Sequence, residues 1–171
     1  MPKDVTTIAG LRCEDLAPAS AGIVFPLLRE AIPGLALDVW LRFARRITGP
    51  RRAGHSGIKV VRRMPRPMPC GLFIWRRDDD LKHGAVLVAE HLVAIDLLDP
   101  DPVMAALVGE LEALAQHLGC GGIRTVVIKA DAEIAARLLA AGHAKEGTAM
   151  WKPMDAPSGE PPPEGTPRRR K

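Results

Sequence analysis

Between residues 84 and 153 the chain runs through a long apolar strand, an amphipathic helix, a second strand, a second helix and a third strand. Two strands joined through a helix cannot form a hairpin, and the connection that lays the helix back on the sheet is a right-handed parallel crossover. This dictates a mixed α/β chain. The spacing predicts strands at 84–98, 123–129 and 148–152 and helices at 103–118 and 131–141. The first helix carries the clearest grammar, with Asp101 as N-cap, Pro102 at the first helical position and Gly119 just past the end. Its apolar stripe is Val103, Leu107, Leu111, Leu114 and Leu118. The second helix follows Asp131, turns Ile134, Leu138 and Ala141 inward, and stops at Gly142.

Upstream, residues 6–13 read as a strand and 17–32 as a helix that Pro26 kinks or divides. Leu37, Trp40, Leu41, Ala44 and Ile47 recur at helical spacing until Thr48-Gly49-Pro50 ends the pattern. Strand-like runs at 57–64 and 70–76 are joined by the proline-rich Pro65-Arg66-Pro67-Met68-Pro69 and read as a hairpin. A polar loop at 77–84 then returns the chain into the long strand, which makes the middle of the protein an antiparallel meander. From Asp155 onward Pro, Gly, Glu and Ser give way to Arg168-Arg169-Arg170-Lys171, a composition that cannot bury enough apolar surface to order itself. The expected organisation is one domain over 1–154 and a disordered tail over 155–171.

Composition closes several routes. With 47% hydrophobic and 26% charged residues in 171, the chain can build one substantial core. It has neither an apolar run long enough to span a membrane nor a secretory leader, so the reading is a cytoplasmic protein. Cys13, Cys70 and Cys120 are far apart and odd in number, which fits reduced, buried thiols. The five histidines share no metal-ligand spacing, so no metal is expected. Tyrosine is absent, which removes every phenolic acid.

The whole order resembles the GNAT superfamily of acyl-CoA N-acyltransferases over roughly residues 6–153. The local likeness lies in Leu92-Val93-Ala94-Ile95-Asp96 as the family's fourth strand, in the helix ending Ala115-Gln116-His117-Leu118-Gly119-Cys120, and in Leu138-Leu139-Ala140-Ala141-Gly142-His143. The resemblance implies a single GNAT-like domain of α/β class with an α+β-like mixed sheet, central and twisted, flanked by helices. It implies transfer of an acyl or acetyl group from acetyl-CoA or another acyl-CoA to an amine. Glu90 would be the general base, with His91 on the opposite strand face as second choice; a solvated, outward-facing Glu90 is the plain alternative. Backbone groups of Ala94, Ile95, Asp96, Leu97 and Leu98 would hold the pantetheine arm, and the diphosphate loop would end on Val103 and Met104. That loop departs from the family's Gln/Arg-x-x-Gly-x-Gly/Ala, because Asp99-Pro100-Asp101-Pro102-Val103-Met104 differs at all three defining positions. Pro102 deletes a donor, Met104 adds bulk, and Asp99 and Asp101 set negative charge against negative charge. Leu138 also stands where many members carry an acidic Tyr.

Between Asp38 and Asp78 lie eleven cations and no carboxylate; with a net charge of +4 overall, the remainder of the chain carries −7. The second reading is therefore a catalytically degenerate GNAT-like module that binds or regulates through a basic face. Open partners are a small-molecule or protein amine acceptor, an acidic protein, including an acyl carrier, and a second copy in a homodimer. Nucleic acid is disfavoured, because Arg62 and Arg63 are strand neighbours pointing to opposite faces and the interleaved aromatics fall on apolar faces. If the tail is unordered, removing residues 163–171 will leave the thermal midpoint unchanged. A fall of several degrees in a calorimetric scan, equivalent to roughly 1 kcal/mol, would show that it docks.

Overall fold

The computed structural model describes residues 7–8, 10–65, 67–96, 100–127 and 132–147. The predicted last strand at 148–152, the tail, and Leu97, Leu98 and Asp99 lie outside them. Strands β1 (Thr7–Ile8), β2 (Leu11–Asp15), β3 (Ser56–Arg63), β4 (Met68–Asp80), β5 (Gly84–Ala94) and β6 (Gly122–Val126) form one sheet in that order. All neighbours are antiparallel except β5 and β6, which are parallel. Helix α3 (Asp101–His117) makes the crossover between them, as the strand-helix-strand spacing requires.

A 3₁₀ segment (Pro18–Val24) leads directly into α1 (Phe25–Ala31), so Pro26 sits in a first helical turn where its missing N–H costs nothing. Helix α2 (Leu37–Ile47) presents Trp40 and Ala44 to the sheet, and α4 (Ala132–Ala140) follows β6. Alternation along β3 and β4 sends Val60, Leu72 and Ile74 to the face covered by α1 and α2, and Val61, Phe73 and Trp75 to the face covered by α3. The domain is a sheet between two apolar layers.

Four local expectations are corrected. The single strand expected over 6–13 is two, because Gly10 takes φ 75° and turns the chain back so that Thr7 faces Arg12. The polar run 77–80 is not loop; it continues β4 opposite the start of β5, its charges marking an exposed ladder. The turn itself is Leu81-Lys82-His83, with the Lys82 and His83 amides donating to Asp80 Oδ1. Asp101 is the first residue of α3 rather than its N-cap, a position Pro100 occupies without a side-chain cap. Ala141, expected inward, is exposed just beyond α4.

A charged contact joins the crossover helix to the sheet: Lys59 Nζ on β3 lies 2.7 Å from Glu110 Oε1 on α3, both side chains 12% exposed. Asp15 adds a second carboxylate at 3.1 Å. Burial pulls the Lys59 ammonium down, and the two carboxylates together outweigh it, so Lys59 titrates above its ordinary value. Beside it, burial and then the Glu110 charge push the Cys13 thiol up to about 12 from 9.0. Both groups hold their protons more tightly folded than unfolded. Stability from them is complete below pH 9 and declines as pH rises through the folded values. The urea midpoint is therefore expected to fall between pH 9 and 10.5 in the wild type and to fall less steeply across that window in Cys13→Ala, where the Cys70 thiol, also raised by burial, still contributes. An equal slope in both proteins would remove the thiol from this account.

Candidate active site

β5 and β6 pair from Val86 with Gly122 to Glu90 with Val126, and among the described residues the pairing ends there. β5 continues on β4 alone. At the parting point Ile74 pairs with Glu90 and Leu72 with Val93, so His91 and Leu92 share one residue of β4, Phe73. This is a β-bulge. His91 carries φ 52°, the positive value that a non-glycine residue adopts at a cost of about 1–2 kcal/mol. Bulges bend a strand and take a residue out of the ladder, and this one turns the end of β5 away from β6.

The gap is a cleft of about 340 Å³. Residues 91–95 line one side, Val126, Val127 and Ile134 another, and residues 30–32 at the end of α1 complete it. Its walls are mainly apolar. His91, Ala94 and Ile95 thus stand together in the cleft wall, whereas Glu90 does not line it. Glu90 Oε1 accepts from Arg76 Nη1 at 2.5 Å across the β4–β5 ladder. It is a carboxylate engaged by a guanidinium, not one isolated on an apolar strand. Burial holds the His91 imidazole below its ordinary value, against the opposing pull of the Glu90 charge. The imidazole is therefore neutral at neutral pH and able to accept a proton.

The other predicted positions are placed as follows. The Asp96 side chain is 6% exposed and gripped by Arg63, whose Nε lies 3.0 Å from Oδ2 and whose Nη2 contacts the same oxygen. Val103 and Met104 are buried in the core, so only their backbone could meet a ligand. Leu138 is core as well. Val103 sits so close to β4 that a Cβ on Gly71 would lie 2.7 Å from its Cγ1.

Among the described residues no three His, Cys, Asp or Glu side chains form a group able to hold a metal. Of the basic segment, Arg42, Lys59, Arg62, Arg63 and Arg76 are paired with Asp38, Glu110, Glu14, Asp96 and Glu90. Among the described residues the exposed remainder is Arg77 on β4 and the run Arg45, Arg46, Arg51 and Arg52, from the end of α2 and the following 3₁₀ turn. Sequence reasoning missed Arg137, whose Nη2 reaches Asp101 Oδ1 at 2.5 Å. Its only sequence signal was Glu133 four residues earlier, which it also binds.

No protein-family model and no curated protein matches the sequence. Solved structures match closely in shape. The aminoglycoside N-acetyltransferase AAC(6')-Iy in complex with CoA superposes with a TM-score of 0.72 at 11% identity, covering 91% of this chain and 99% of that one. Glucosamine-6-phosphate N-acetyltransferase from Arabidopsis thaliana gives 0.68 at 14% identity, covering 85% and 99%. A transcriptional regulator from Bacillus halodurans C-125 gives 0.69 at 14%, covering 83% and 99%. The bulge itself is open to measurement. His91→Gly is expected to be about 1 kcal/mol more stable to urea than His91→Ala, because only glycine relieves the positive φ. Equal stability of the two variants would mean that residue 91 lies in an ordinary strand.

Proposed function

Given that the chain has the fold of the GNAT acyltransferases, we propose that it transfers an acyl group from a pantetheine thioester such as acetyl-CoA to the amine of a small molecule. The observation that carries this reading is the cleft opened where β5 leaves β6 at the bulge. A pantetheine arm is a linear chain bearing two amides, and the open edge of β5 beyond Glu90 is what an extended amide chain adds to. The thioester then lies along Ala94 and Ile95. Its carbonyl oxygen meets amides that the bulge has taken out of the ladder, which are suited to hold the oxyanion.

His91 takes the proton from the acceptor ammonium, the neutral amine attacks the thioester carbon, and the C–S bond breaks to release the thiolate. Glu90, fixed by Arg76, contributes the negative charge that stabilises the imidazolium as it forms. Acceptance of a cationic amine is supported by Glu30 in the cleft lining. With no tyrosine in the chain, the second proton that the attacking nitrogen sheds as the amide forms passes through solvent to the departing thiolate. We place the reaction in the cytoplasm, with residues 1–154 as the acting domain.

Acetyl transfer to a panel of amines tests the assignment. His91→Ala is expected to lower kcat/KM by roughly a hundred-fold or more, and Glu90→Gln by roughly ten-fold. The acidic limb of the wild-type profile should lie below pH 6.5, the ordinary imidazole value, and shift further down in Glu90→Gln. A hundred-fold loss in Glu90→Gln with His91→Ala still active would make Glu90 the base. The second reading, a binding module without catalysis, is supported by the exposed Arg45, Arg46, Arg51 and Arg52 cluster. It requires that no thioester binds and that reversing the charge of Arg45 and Arg46 abolishes retention on heparin or an acidic protein.

A further inference from the structure

Helix α3 starts at the end of the sheet where the cleft opens, since it follows β5 after a short connection. A helix start in that position is where the phosphates of a nucleotide ordinarily lodge on free amides and the positive end of the dipole. In this chain the place is already taken. Pro102 has no N–H, which removes one of the few amides a helix start leaves free, since the Met104 N–H already makes the ordinary first helical bond to the Pro100 carbonyl. The Asp101 carboxylate lies in the first turn, 2.5 Å from Arg137 Nη2. Arg137 belongs to α4, three residues beyond Ile134 of the cleft wall, and is held at 2.7 Å by Glu133 too. The cation that α4 brings to this corner is thus neutralised by two carboxylates of the chain itself.

The arm side of the cleft, in contrast, is open and apolar. We propose that the donor is a pantetheine thioester recognised through its amide-bearing arm alone, with the nucleotide diphosphate making no contribution to binding. The inference rests on the acyl-transfer reading and narrows its substrate class. Either a free thioester or one attached to a protein offers this chemistry.

The test measures dissociation constants by calorimetry for S-acetyl-pantetheine, acetyl-CoA and an acetylated phosphopantetheinyl carrier protein. Acetyl-CoA should bind within about three-fold of S-acetyl-pantetheine, with no loss between low and physiological salt. Tighter binding of the carrier than of S-acetyl-pantetheine assigns the protein-attached donor, and equal affinity assigns the free one. Asp101→Asn removes the carboxylate at the helix start and leaves Arg137 balanced by Glu133 alone, so acetyl-CoA should tighten five-fold or more while S-acetyl-pantetheine is unchanged. A ten-fold preference of the wild type for acetyl-CoA would overturn the inference and leave acyl transfer standing. Failure of all three to bind would overturn acyl transfer itself, and no tightening in Asp101→Asn would overturn the role given to the ion pair.

Discussion

Close packing of α3 on the sheet is the constraint from which the other features follow. Gly71 leaves the space that Val103 and Leu107 fill, and the Lys59–Glu110 contact pins the helix about two turns beyond Val103. A helix seated at two points sets where β6 must begin, and β6 accordingly pairs with β5 over residues 86–90. The rest of β5 is held on its other side by β4 only. A one-residue bulge suffices to part the strands there, and the cleft is the result.

The crossover was legible because helix α3 carries its own punctuation: proline at the start, a heptad-like apolar stripe and glycine at φ 64° past the end. The cap was misread by one position, since Asp-Pro reads the same whether the acid precedes or opens the helix. The bulge was not legible at all. Residues 85–89 are apolar on both faces, so their pattern has no phase that could reveal a slip at His91. Glu90 and His91 were picked out as the polar interruption of that run, but simple alternation assigned them to opposite faces. Only the ladder distinguishes a residue of the cleft wall from one bound to Arg76.

Charge was legible as composition and not as a surface. Eleven cations in one stretch of sequence read as a basic face, yet Arg62 meets Glu14 across 48 residues and Arg63 meets Asp96 across 33. Partners at such separations cannot be inferred from spacing. The same holds for Asp101, whose negative charge was visible and whose partner on α4 was not. Among the described residues, folding turns much of a charge-segregated sequence into locally balanced pairs and leaves an exposed arginine run at the end of α2.

The parted strands carry a further consequence. Beyond Glu90, no described residue of β6 pairs with β5, and a strand edge turned toward a cleft is the arrangement that recruits stray extended chains. In other proteins such edges are blunted by charge or proline, but residues 91–95 here hold neither a charged group in permanent form nor a proline. A ligand lying in the gap would be the missing strand. Occupancy would then protect the molecule as well as serve chemistry, and the empty protein would be the form most prone to self-association.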